Sequence, residues 1–164
     1  MSYKIKSYLN IGPEILEVDI YGVSSRSIPG LEIIGLGTKG RLIREKLNFL
    51  TKRYCLNKRT IKRHVISIEA NFSENKLKDR SPELEFPILI LYWVMSGFLP
   101  IRNLDNCWAN GSVSVDLGIR SSFFKNFFQL PEGAIDKTMI CIDPPSNTKI
   151  KNYILWKDLR DHNG

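Results

Sequence analysis

The sequence predicts an α+β domain: a mixed sheet with helices on one face, in two layers. Three observations carry this. Two alternating apolar–polar stretches near the N-terminus are joined by Gly12-Pro13, which reads as a hairpin. A third stretch, Leu31 to Ile34, runs through glycines straight into a helical pattern. A ten-residue apolar run, Phe86 to Met95, is too short to span a bilayer and reads as a buried helix. Strands and helices are interspersed without repeat or low-complexity linker, which fits a single domain over 1–164.

In chain order, Tyr3, Ile5, Ser7 and Leu9 alternate with Lys4, Lys6 and Tyr8, as a half-buried strand does. Ile15 to Tyr21 resumes the alternation, with Leu16, Val18 and Ile20 inward and Glu17 and Asp19 outward. Pro29-Gly30 is a turn signal before the Leu31–Ile34 strand. A helix is expected over Arg41 to about Arg53, its apolar stripe Leu42, Ile43, Leu47, Leu50 and Tyr54 facing the sheet. That stripe would push Arg41, Arg44, Lys46 and Lys52 outward. Cys55 to Arg63 reads as a basic connector, and His64 to Glu69 as an interior strand.

Ala70 to Arg80 reads as a polar loop. The buried helix then starts between Ser81 and Pro87 and stops at Ser96-Gly97, where glycine ends helices. Cys107 to Val115 reads as one strand, followed by a tight turn at Asp116-Leu117-Gly118. Ser121 to Phe128 has phenylalanines at helical spacing, and Pro131-Glu132-Gly133 reads as a turn. Met139 to Ile142 and Tyr153 to Leu155 read as strands. A helix beginning at Trp156 is expected to be cut short by the chain end.

The formal charge is +7, and its placement matters more than its size. Between 39 and 63 stand Lys39, Arg41, Arg44, Lys46, Lys52, Arg53, Lys58, Arg59, Lys62 and Arg63. Ten basic residues against Glu45 alone leave a local charge of +9, so the remaining residues carry −2 of the total. Such a segment attracts phosphates, and nucleic acid is the expected ligand. Basic residues in a first helical turn also oppose the helix dipole at roughly 0.3–1 kcal/mol each, which a bound anion would relieve.

Gly35-x-Gly37-x-x-Gly40 matches the dinucleotide fingerprint between strand and helix, and keeps an oxidoreductase reading open. Its ribose-binding acid belongs about 20 residues on; the nearest candidate, Glu69, lies 29 past Gly40. Glu32 also interrupts a strand that should be buried on both faces. The same glycines fail as a nucleoside-triphosphate loop. Arg41-Leu42 stands where lysine and a magnesium-binding hydroxyl are required. Cys55, Cys107 and Cys141 are scattered, with no Cys-x-x-Cys, as expected of reduced thiols in a cytosolic protein. His64 and His162 have no ligand partners in the pattern, so no metal or cofactor site is expected. The N-terminus has no apolar signal core.

The ordered motifs resemble the N-terminal domain of magnesium-chelatase-like AAA+ ATPases, the ComM competence-protein group. Leu16-Glu-Val-Asp-Ile20 resembles that group's VEVDI strand. Ser27 to Leu36 resembles GLPGFTIVGLP, and Ile43-Arg-Glu-Lys-Leu47 resembles the helix that follows it. Lys62 to Asn71 is similar to KRITVNLAPAD, Ser81 to Ile90 to the start of GPSFDLPIALGILAASG, and Gly111 to Arg120 to GELSLDGSLR. Gly37 stands where the family has proline, and Ser112 where it has glutamate.

The resemblance implies a Lon-protease-like fold, the two-layer sandwich also seen in ribosomal-protein domain 2. Lon proteases carry a serine–lysine dyad on that scaffold. Glu83 occupies the serine's place; the lysine's place falls at Asn126, with Lys125 one residue off. Without its serine the dyad has no nucleophile. In full-length relatives, a following ATPase domain forms a hexameric motor for DNA branch migration in natural transformation. No ATPase motif occurs in these 164 residues. The resemblance therefore implies a non-catalytic accessory domain working through a separate AAA+ motor subunit or DNA, or the remnant of a shortened gene.

Overall fold

A computed structural model describes residues 2–55, 61–121, 123, 130, 132–145 and 149–161. The N-terminal hairpin is β1, Ser2–Ile11, and β2, Glu14–Ser25, paired antiparallel from Ser2 opposite Val23 to Ile11 opposite Glu14. β3, Gly30–Ile34, leads into α1, Thr38–Tyr54, and then β4, Arg63–Ala70. A short helix α2, Glu74–Asp79, and a 3₁₀ turn, Ser81–Leu84, precede α3, Glu85–Met95. Two-residue strands β5, Cys107–Trp108, β6, Ser112–Val113, and β7, Ile119–Arg120, follow. The described chain ends with α4, Glu132–Ile135, β8, Thr138–Cys141, β9, Tyr153–Leu155, and α5, Trp156–Asp161.

The main sheet runs β3-β4-β2-β1-β5-β8-β9, and β6 with β7 forms a separate ribbon. Its pairing is mixed. β3 and β4 are parallel across the α1 crossover, β4, β2 and β1 are antiparallel, and β1, β5, β8 and β9 are parallel. The α+β class expected from sequence is therefore the class observed. It is not the doubly wound parallel sheet that accompanies the dinucleotide fingerprint.

Pleating sorts the core. Successive side chains point to opposite faces, and the structure divides them accordingly. Leu9, Cys107 and Ile140 join the large core under α1 and α3. Their neighbours Tyr8, Trp108, Met139 and Cys141 join a smaller cluster with Phe123 and Ala134 of α4. The long helices lie on one face as expected, while the four-residue α4 packs on the other. Tyr8 and Phe123 both meet Trp108 edge-on, at centroid distances of 5.2 and 5.5 Å.

α3 is buried along its whole length. It packs on β1, β2 and β4, while Trp156 of α5 stacks on Trp93 at 5.8 Å. Trp93 donates to Thr51 Oγ1 of α1 at 2.9 Å. The helix stops where the sequence said. Gly97 at φ 77° lets its N–H reach Val94 O and that of Phe98 reach Trp93 O, which satisfies the last carbonyls.

Four expectations need correction. α1 begins at Thr38 rather than Arg41, and its buried residues are Gly40, Ile43, Leu47, Leu50 and Thr51. Leu42 is 61% exposed: it is 100° round the helix from Ile43, so both cannot face the sheet. Within the supposed polar loop, Ser73 Oγ accepts from Lys76 N at 3.2 Å, capping α2 and burying Leu77. The strand expected at Cys107–Val115 divides between the two sheets: Ala109 N still donates to Lys6 O of β1, but Gly111 turns away to pin the start of α3. The turn at Pro131–Gly133 gives way to α4 from Glu132. The helix expected at Ser121–Phe128 falls largely outside the described residues.

The strand-to-helix glycines are explained by close approach. Gly35 has φ +106°, and a Cβ there would stand 2.5 Å from Ile68 O. One at Gly40 would stand 3.1 Å from Ile33 O. Gly97 also has positive φ, but with open space around it. Gly35→Ala should therefore destabilise by about 3 kcal/mol or more, and Gly97→Ala by about 1–2 kcal/mol. Urea titration of both variants checks this; equal losses would contradict the contact with Ile68.

Candidate nucleic-acid interface

Each basic residue of the 39–63 segment has its own surroundings, set by where the helix turns. Lys39, Arg41, Lys52 and Arg53 are exposed on α1, and Arg44 and Lys46 are half-buried at its sides. At 100° per residue, these positions spread over more than half the circumference rather than forming one face. Arg41 pairs with Glu45 at 3.5 Å, an exposed i,i+4 pair, worth only a few tenths of a kcal/mol. Arg53 donates to Val115 O at 3.5 Å and lies over the Tyr54 ring. Beyond the helix, Arg63 Nη2 contacts Glu32 Oε2 at 2.5 Å, tying β4 to edge strand β3. Lys62 is exposed beside it. Lys58 and Arg59 lie outside the described residues.

Lys46 departs most from expectation. It points inward, donating to Glu85 Oε2 at 2.8 Å and to Val113 O at 3.0 Å. Glu85 is 6% exposed and its other oxygen accepts from Val113 N at 3.0 Å. This node joins α1, the start of α3 and β6. The carboxylate sits in the first turn of α3, where unpaired N–H groups favour an anion. A buried carboxylate requires such a partner, so this cation is committed to structure. Four cations of the segment remain exposed or half-buried with neither an ion pair nor a side-chain hydrogen bond among the described residues: Lys39, Arg44, Lys52 and Lys62. Arg44 and Arg63 line a groove together with Glu32, Glu45 and Asn48.

The dinucleotide candidates are placed differently. Gly35 and Glu69 do share a cavity of about 490 Å³, but Glu17, Asp19 and Glu74 line it too. Four carboxylates repel a pyrophosphate, which needs N–H donors and cations. Lys6 and Lys4 pair with Asp19 there, at 3.0 and 3.7 Å. Of the positions compared above with a serine–lysine dyad, Glu83 O accepts from Gly111 N and the Glu83 carboxylate lies 3.9 Å from Arg80; Lys125 and Asn126 fall outside the described residues.

His64, Cys107 and Cys141 are enclosed, while Cys55 is half-buried. His64 is 1% exposed, with Nδ1 2.7 Å from Ser24 Oγ. Burial, helped by the charge of Lys62, lowers its pKa, so the imidazole is neutral at pH 7. Burial pushes the thiol of Cys107 up to about 11 and that of Cys141 up to about 12. Among the described residues there is no group of three metal-ligating side chains, and no helix is long and apolar enough to cross a membrane. Comparison with protein-family models and with curated proteins finds no match.

Charge counting in the sequence finds the basic segment but not the Lys46–Glu85 pair, whose partners are 39 residues apart. Lys46→Met should cost about 3 kcal/mol by leaving Glu85 unpaired, and adding Glu85→Gln should restore most of that loss. Denaturant titration of the single and double variants checks it. A loss below about 0.5 kcal/mol would place Lys46 among ordinary surface charges.

Proposed function

We propose that this chain is a non-catalytic accessory domain related to the N-terminal domain of ComM-type helicases, acting on nucleic acid or through a partner motor. The observation that carries the reading is the cation supply of 39–63 after the internal pairs are discounted. Lys39, Arg44, Lys52 and Lys62 stay unneutralised, and Arg41 and Arg53 are exposed with weak partners. The mixed sheet and the ordered sequence motifs support the relationship to that domain, and the free cysteines fit a cytosolic setting. The cavity beside Gly35 is lined by four carboxylates, which weighs against the oxidoreductase alternative.

Phosphate contacts release counterions, so affinity must fall with salt. Four contacts on a duplex correspond to a loss on the order of 100-fold between about 50 and 200 mM salt. Fluorescence anisotropy with a labelled DNA duplex measures it. Lys52→Ala should lower the slope of log affinity against log salt by about one. Undetectable or salt-insensitive binding would retire the nucleic-acid reading.

A further inference from the structure

The outward face of α1 is not only charged. Leu42 is 61% exposed and Phe49 49% exposed. They are seven residues apart, hence within about 20° of each other round the helix and roughly 10 Å apart along it. A third apolar side chain joins them from a different element. Lys46 holds Val113 O and Arg53 holds Val115 O, one on each side of Phe49 along the helix. These two tethers lay the β6–β7 turn alongside α1, and Val115 at its tip is 59% exposed. The turn is itself fixed, with Ser114 N donating to Gly118 O and Leu117 held at φ 67°.

Helical geometry puts Arg41 and Lys52 on one side of this stripe and Lys39 and Arg53 on the other. Glu45 and Asp116 are the only acids in the sequence immediately around it. An apolar line bordered on both sides by cations is the complement of an amphipathic helix bordered by carboxylates. Phosphates alone gain nothing from Leu42, which offers no ring for base stacking. A second copy docking α1 on α1 would set like charges against each other.

We infer that Leu42, Phe49 and Val115 form a docking stripe for an acidic amphipathic helix of a protein partner. The inference deepens the accessory-domain reading and rests on it; it shares the flanking cations with the DNA contacts proposed for the same segment and differs from them in needing the apolar side chains.

The test uses a labelled designed peptide with leucines one heptad apart and glutamates on both flanks. A peptide of the same composition with its heptad broken serves as control, and a labelled DNA duplex is titrated in parallel. The ordered peptide should bind and the broken one at least about tenfold more weakly. Leu42→Ser/Phe49→Ser, both exposed positions, should weaken the ordered peptide at least about tenfold and leave duplex affinity within about twofold. No binding of the peptide, or equal binding by the double variant, overturns the inference. So does a tenfold loss on DNA instead, which would make Phe49 a base-stacking surface. Self-association by sedimentation that disappears in the double variant would give the stripe to a second copy and likewise overturn it. Peptide binding without duplex binding removes only the nucleic-acid reading; loss of both removes the accessory-domain reading as well.

Discussion

Eleven consecutive residues of α3, from Glu85 to Met95, are buried. An ordinary surface helix hides one stripe; this one must be covered all round. That demand organises the molecule. β1, β2 and β4 supply one wall. α1 and the Trp156 end of α5 supply the other, through Thr51 and the ring contacts of Trp156 with Phe86 and Trp93. Burying a large apolar side chain is worth about 1.5–3 kcal/mol, so α3 concentrates much of the driving force in one element.

The polar beginning of α3 is where the core meets the surface segment. Phe86 N donates to Gly111 O, and Gly111 N to Glu83 O, fixing the helix start against the β5–β6 connection. Glu85 is the one charge carried into the core by α3, and Lys46 answers it from α1. The same pair fixes the rotation of α1. With Lys46 turned toward Val113, Leu42 and Phe49 must face solvent and Arg44 must face the groove beside β3. Surface chemistry on α1 is thus a consequence of how one buried carboxylate is satisfied.

Much of this was legible in the residues. Alternation in Tyr3–Leu9 and Ile15–Tyr21 specified the hairpin, because one face of each strand had to be apolar. Gly97 marked a real helix stop, since its backbone requirement is local, and Pro29-Gly30 stands where the chain enters β3. Illegible features depended on distant partners. Leu42 and Ile43 are adjacent and equally apolar, and only packing decides which turns inward. α2 is six residues with a single buried leucine, too short for periodicity to register; its signal was Ser73 as cap and the Glu74–Lys78 spacing. The basic segment was visible as a sum of charges. Its division into internal pairs and solvent-facing cations was not, because Glu85 is 39 residues from Lys46 and Glu32 is 31 from Arg63.

Native-state hydrogen exchange tests the central role of α3 most directly. If its burial holds the domain together, amides from Ile88 to Met95 should exchange only through global unfolding, with the highest opening free energy in the chain. Those of edge strand β3 and of the α1 termini should open at lower cost. Exchange of α3 at a free energy below that of β1 and β2 would contradict the account, since the sheet would then persist without the helix it is supposed to depend on.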